Sequence, residues 1–189
     1  ICKVYYDNPG IRIIRYGLKS EKAHTNYYKK FGYIKVFSKD YLPENISSKE
    51  IRDSKINFYN KSKLALSKGE NLIINPEGMS SSTEESPSDF KAGVFKMMIR
   101  SGLDPIVVPL VMVNFDKLNS QTIYRCEIKN SFRLSEFINN FEDKSQLNQF
   151  LISLTHKYKK WVHDLRDLTS GYDKEISHLI EKRRNHFPS

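Results

Sequence analysis

A chain of 189 residues with 39% hydrophobic and 12% aromatic residues can bury roughly two-thirds of its unfolded surface in one core, which excludes a disordered or collagen-like polymer. Its 31 Lys and Arg against 22 Asp and Glu leave a formal charge of +9, favouring an anionic partner: nucleic acid, an anionic membrane surface or a phosphorylated small molecule. Two cysteines, Cys2 and Cys126, are too few for a disulfide framework or a structural zinc site, so a reducing compartment and no metal are expected. The most apolar run, Ile106–Val113 (IVVPLVMV), falls far short of the roughly 20 residues of a membrane-spanning helix. Basic residues thicken at Lys157–Lys160 (KYKK) and Lys182–Arg184 (KRR), but none of the arrays of sequence-reading nucleic-acid modules is present. The chain opens with Ile1, and nothing before Pro9 reads as a signal peptide or a start, so it is expected to be a piece of something longer.

In chain order, Ile11–Arg15 (IRIIR) and Tyr33–Phe37 (YIKVF) have the β-branched and aromatic enrichment of short strands, with a polar, helical segment around Glu21–Lys30 between them. Ser47 followed by Glu50 has capping-box spacing, and Ile51, Phe58, Tyr59 and Leu66 recur at helical intervals until Lys68-Gly69. Asn71–Ile74 (NLII) reads as a short buried strand, Phe90–Arg100 as a helix stopped at Ser101-Gly102, and Ile106–Val113 as another buried strand. Thr122–Lys129 alternates like a strand with one face covered.

From Ser145 the positions Leu147, Phe150, Leu151, Leu154, Tyr158, Trp161, Val162 and Leu165 form an amphipathic stripe. Gly171 is expected to close that helix, and a last helix carries Ile176, Leu179 and Ile180. Strands alternating with helices predict an α/β fold, with a central largely parallel or mixed sheet flanked by helices and a helical C-terminal extension. The expected division is an α/β domain over 1–132, with C-terminal helices over 133–189 packed on it or following it.

In α/β sheets ligands gather beyond the carboxyl ends of strands, where Asn75-Pro76-Glu77-Gly78 stands. Pro76 fixes one backbone angle, Gly78 permits a turn closed to other residues, and Glu77 between them is held in one direction, ready to accept hydrogen bonds from hydroxyls. An exposed acid in an ordinary turn is the competing reading. Long loops in compact domains are disproportionately functional, and a serine-rich one follows, with Glu84 and Glu85 placed to pair with lysines or cap the next helix.

Together these pieces resemble the glycerolipid acyltransferases, the family of lysophosphatidic acid and related lysophospholipid acyltransferases. The resemblance rests on Asn75-Pro76-Glu77-Gly78, the loop Met79–Asp89, Phe90-Lys91-Ala92-Gly93-Val94-Phe95, Val108-Pro109, and upstream Gly32-Tyr33-Ile34-Lys35-Val36, over roughly residues 10 to 115. It implies a glycerol-phosphate acyltransferase-like fold and an enzyme moving a fatty acyl chain from acyl-CoA or acyl carrier protein to the hydroxyl of a lysophospholipid or related glycerolipid acceptor. No cofactor is bound in such a reaction; the acyl donor is a substrate.

By that resemblance Pro76, Glu77 and Gly78 bind the glycerol or phosphate part of the acceptor, and Pro109 shapes the floor of the site. Ser81 is a candidate polar lining residue. Lys91 would add a cation at a helix N-terminus, a place that already attracts anions. Gly93 serves either close ligand approach or, as the favoured reading, tight helix–sheet packing. Where the family has Arg after its second block, this chain has Ser38 and Lys39, and where Thr-Arg follows Pro-Glu-Gly it has Met79-Ser80. Lys39 and Lys91 offer point charges in place of the planar guanidinium fork, so the acceptor's head group stays open.

The family's His-x-x-x-x-Asp block is absent: five residues after His24, His156, His163 and His178 stand Lys29, Trp161, Leu168 and Arg183. The catalytic pair is therefore expected upstream of this fragment, with no catalytic residue inside it. The amphipathic C-terminal helix, with Lys157, Lys159, Lys160 and Arg166, either rests on anionic lipid or packs on the domain. Acyl donor, lysolipid acceptor and an anionic membrane are the expected partners, nucleic acid is not, and the expected location is cytoplasmic, peripheral to the inner face of a membrane. The competing readings are a catalytically inactive lipid-binding scaffold and a basic nucleic-acid or anionic-surface binding module.

Overall fold

The computed structural model describes residues 11–16, 33–37, 42, 45–78, 82–117 and 123–186. They form a mixed α/β protein with three α-helices and seven strands. The chain divides into two compact units that interleave in sequence: Ile1–Met79 with Lys91–Pro105, and Ser80–Phe90 with Ile106–Ser189. The chain passes from one unit to the other three times, after Met79, Phe90 and Pro105.

In the first unit, β1 (Ile11–Tyr16), β2 (Tyr33–Phe37) and β3 (Leu72–Ile73) form a parallel sheet in the order β2-β1-β3. Arg12 lies opposite Tyr33 and Tyr16 opposite Phe37, while Ile11 and Arg12 meet Leu72 and Ile73. Such parallel neighbours need a crossover, and α1 (Ser48–Ser67) lies between β2 and β3 in the chain. The capping box forms as its spacing predicts. The Glu50 N–H donates to the Ser47 hydroxyl at 3.2 Å and the Ser47 N–H to Glu50 Oε2 at 2.8 Å, an arrangement worth about 1 kcal/mol.

The face of α1 turned inward is centred on the small residues Ser62 and Ala65, while Leu64 and Ile56 are exposed. α2 (Gly93–Ser101) buries Phe95, Met97 and Met98, is tied to α1 by the Tyr59 hydroxyl donating to the Arg100 carbonyl at 2.8 Å, and ends on Gly102 at φ 69°. The strand expected to be buried over Asn71–Ile74 is shorter and open. β3 holds two residues, Ile73 is 48% exposed, and among the described residues β3 is an edge strand paired only with β1.

The second unit is an antiparallel ribbon laid on one long helix. β4 (Ile106–Val107) pairs with β7 (Phe132–Arg133), and β5 (Leu110–Val113) with β6 (Arg125–Ile128). Val107 faces Phe132 and Leu110 faces Ile128, so two residues on one side oppose three on the other. One extra residue in 129–131 makes a β-bulge, and the Lys129 N–H, donating to the Pro109 carbonyl at 3.0 Å, keeps the ladder running into it.

Residues 106–113 were expected to be buried on both faces. Instead Val107, Pro109, Val111 and Val113 turn inward, while Ile106, Val108, Leu110 and Met112 stay 43–58% exposed. The reason is that, among the described residues, one side of the ribbon is covered, by α3 (Lys144–His186): Val111 and Val113 pack with Val162 and Leu165 beside Tyr158 and Trp161.

The stripe of α3 is as its periodicity predicts, with Leu147, Phe150, Leu151, Leu154, Val162 and Leu165 all buried. Its end is not. The helix runs through Gly171, so the expected separate last helix is the continuation of the same one. Glycine interrupts a helix only where the chain turns left-handed. At Gly171, where no positive φ occurs, its cost is only about 0.5–1 kcal/mol relative to alanine. No helix among the described residues is long and apolar enough to cross a membrane.

Candidate functional site

The stretch that begins at Asn75 contains two different polar constructions. The first is the turn after β3. The Gly78 N–H donates to the Asn75 carbonyl at 3.1 Å, and the Glu77 N–H donates to Asn75 Oδ1 at 3.1 Å, so the backbone around Glu77 is fixed by one asparagine twice. Gly78 sits at φ 72°, the left-handed region that explains glycine here. The Lys91 N–H donates to the Pro76 carbonyl at 2.8 Å, and a Cβ built on Gly78 would lie 3.5 Å from Lys91 Cγ. Two segments thirteen residues apart in number, Gly78 and Lys91, are thereby held side by side. Pro76 and Glu77 are half-buried; Gly78 and Lys91 are exposed.

Immediately after Lys91, α2 begins at Gly93 with Ala92 as its N-cap. No side chain caps it, and its first turn carries no acid. A helix N-terminus left in this state, next to a lysine, attracts an anion. Gly93 is not the tight packing point expected: among the described residues nothing lies within 4 Å of the Cβ it lacks, and the residue is exposed. The turn thus assembles Pro76, Glu77, Gly78 and Lys91, with Gly93 two residues further along the chain. Pro109 is buried in the second unit, where it joins β4 to β5. Ser81 and Lys39 lie outside the described residues.

The second construction is the middle of the loop, in the second unit. Thr83 is 5% exposed; its hydroxyl donates to Asp116 Oδ1 and accepts the Asn114 N–H at 2.8 Å. Lys117 Nζ bridges Glu84 Oε2 at 2.7 Å and Asp116 Oδ2 at 3.1 Å. The Thr83 hydroxyl, and then Lys117, against a desolvation that opposes them, hold the Asp116 carboxyl down at about 2; Glu84 is lowered first by Lys117, and Lys117 is raised first by Glu84. The expected pairing of Glu84 with a lysine is met.

The loop's work is visible along β5. In an antiparallel ladder alternate residues point their N–H and C=O away from the partner strand, here Leu110, Met112 and Asn114. Leu110 is covered by the Tyr158 hydroxyl, which bonds its N–H at 3.0 Å and its carbonyl at 3.3 Å, and Asn114 by Thr83. Phe90 closes the loop by stacking edge-on to Tyr158, ring centroids 5.1 Å apart. A strand edge that would otherwise invite pairing is therefore capped at both ends. Asn114 and Asp116 were not singled out from sequence, and Thr83 was only one of the hydroxyls of the serine-rich loop. Only the left-handed Asn114 (φ 65°), an asparagine directly after an apolar strand, left a local trace.

Among the described residues the histidines add no acid–base pair of the expected spacing. His163 Nδ1 lies 3.2 Å from Asp167 Oδ2 one helical turn on, with both side chains about 70% exposed, and His156 and His178 are exposed on the same helix.

Residues 27–113 match the family model described as Acyltransferase. No curated protein and no solved structure matches the chain. The matched segment takes in β2, α1, β3, the Asn75–Gly78 turn, the serine-rich loop, α2 and the strands to Val113, so it holds the whole of the first polar construction and, of the second, Thr83 and Glu84 but not Asn114, Asp116 or Lys117. The turn, the lysine and the helix N-terminus all lie inside that segment, so residues 27–113 are similar to the family described as Acyltransferase.

Proposed function

We propose that this protein transfers a fatty acyl chain from acyl-CoA or acyl carrier protein to the hydroxyl of a lysophospholipid or related glycerolipid, and that the Asn75–Gly78 turn with Lys91 binds the acceptor. The observation that carries the reading is the Lys91 N–H bond to the Pro76 carbonyl, which sets a carboxylate, an ammonium and an uncapped helix N-terminus on one rigid frame. Glu77 accepts a hydrogen bond from a glycerol hydroxyl. Lys91 and the first N–H groups of α2 hold an anionic head group, taking the place of the two absent arginines. Ser81 and Lys39 are read as further contacts, and Pro109 as part of the floor.

In the reaction the acceptor hydroxyl loses its proton to a base as its oxygen attacks the thioester carbonyl, and the thiolate leaves. No histidine of this chain is assigned as that base. The parallel β2-β1-β3 sheet is read as part of a glycerol-phosphate acyltransferase-like central sheet. A lipid acceptor and a charge of +9 support a cytoplasmic location at the inner face of a membrane.

The test is acyl transfer by the full-length protein from labelled acyl-CoA and acyl carrier protein to a panel of lysolipids with and without phosphate. Lys91→Ala should raise KM for phosphate-bearing acceptors most. Equal loss on every acceptor, or none, removes the head-group role. Absence of transfer from either donor by the folded protein favours the inactive scaffold.

A further inference from the structure

Among the described residues, the outer face of the β4–β7 ribbon is an apolar surface that the second unit leaves exposed. Ile106 (58% exposed), Val108 (52%), Leu110 (43%) and Met112 (48%) line one strand, and Ile128 (61%) stands opposite Leu110, with exposed Cys126 opposite Met112. Phe115 and Tyr124, ring centroids 5.6 Å apart and both about half exposed, close one end. At the other end Arg133 lies opposite Ile106. Between those ends the outward positions of both strands carry no charge, in a chain whose residues are 28% charged.

We infer that this face is the contact between two copies of the chain. Two features on the face select a second copy. The first is area: the five aliphatic side chains and the two aromatics expose on the order of 500–800 Å², beyond the patch ordinary for a monomer and close to the roughly 800 Å² each partner contributes to a stable interface. The second is charge. A protein of net charge +9 repels its own copies everywhere except through a neutral surface, and this face is neutral across its middle, with Arg133 kept to one end. Two such faces related by a two-fold axis stack as a sandwich, sheet on sheet about 10 Å apart, and bury the strand 106–113 on both sides. That also accounts for the composition of IVVPLVMV, apolar at every position although its even-numbered residues are exposed.

The experiment is sedimentation of the 189-residue chain across the micromolar range, alone and with anionic vesicles. Beside it run Met112→Glu, Leu110→Lys and, as a control, Ile152→Glu, whose side chain is 72% exposed on α3. The expected result is a concentration-dependent dimer for the parent and Ile152→Glu, and a dissociation constant raised at least ~10-fold in the other two, with unchanged circular dichroism. A parent that stays monomeric throughout overturns the inference, as do dimers of undiminished strength in both face variants. A monomer that sediments with vesicles, and loses this in Met112→Glu, overturns it in favour of a lipid surface.

Discussion

The ends and the middle of the 75–91 stretch use the same kinds of residue in opposite ways. At the ends, Glu77 and Lys91 have their backbones fixed by hydrogen bonds, with Glu77 half-buried and Lys91 exposed. In the middle, Thr83, Glu84, Asp116, Lys117 and the Asn114 N–H are spent on one another. A polar group already paired inside the fold has little left to offer a ligand, whereas one held rigidly and still solvated can exchange water for substrate at small entropic cost. On the proposed function, the middle is the structural part of the loop and the ends are the binding part.

Glu77→Ala is the strongest way to break that distinction. It should lower kcat/KM for acyl transfer by about 10²-fold, in the range of a lost substrate-orienting hydrogen bond, and leave the melting temperature unchanged. Steady-state kinetics beside a thermal melt decides it, since a melt that falls with activity would make Glu77 structural. Thr83→Val should do the reverse. It strands the Asn114 N–H and one Asp116 oxygen beside a buried methyl, which should cost about 1–3 kcal/mol in denaturant unfolding, with kcat/KM per folded molecule unaltered.

Acid sharpens the same comparison. The Asp116 carboxyl sits at about 2 in the folded chain against 3.8 in the unfolded one. A depressed folded value means that the unfolded chain takes up the proton first. The contribution is complete above the unfolded value and is lost as pH falls from about 4 through about 2. Glu84, also lowered, acts in the same sense. Stability measured between pH 5 and pH 2 should fall more steeply in the parent than in Thr83→Val, and parallel curves would mean that the Thr83 bond is not what holds the carboxyl down.

What was legible in the sequence is what depends on near neighbours. The Ser47–Glu50 box, the stripe of α3 and the Pro76–Gly78 turn all arise from residues within one or two turns of each other, so spacing alone exposes them. What was not legible depends on distant partners. Thr83 meets Asp116 33 residues away, and nothing about either residue names the other. The outward half of 106–113 has the composition of a buried strand, and only the position of α3 shows that one face is uncovered. The expected helix break at Gly171 failed because residue type was taken for conformation. Glycine permits a left-handed turn, but only the surrounding chain requires one.

That last point carries the smallest effect and the cleanest contrast, because the same substitution should have opposite signs at two glycines. Gly102 ends α2 at φ 69°, and among the described residues nothing lies within 4 Å of the Cβ that Gly102→Ala would add. Strain of the left-handed backbone is then the only native-state penalty, about 1 kcal/mol. Gly171 has equally open surroundings but sits inside a continuing helix. Gly171→Ala removes unfolded-state freedom without strain and should stabilise by about 0.5–1 kcal/mol. Unfolding of the two variants side by side tests whether α3 is one helix. Destabilisation by Gly171→Ala would restore the break that the sequence suggests, and with it a separate last helix.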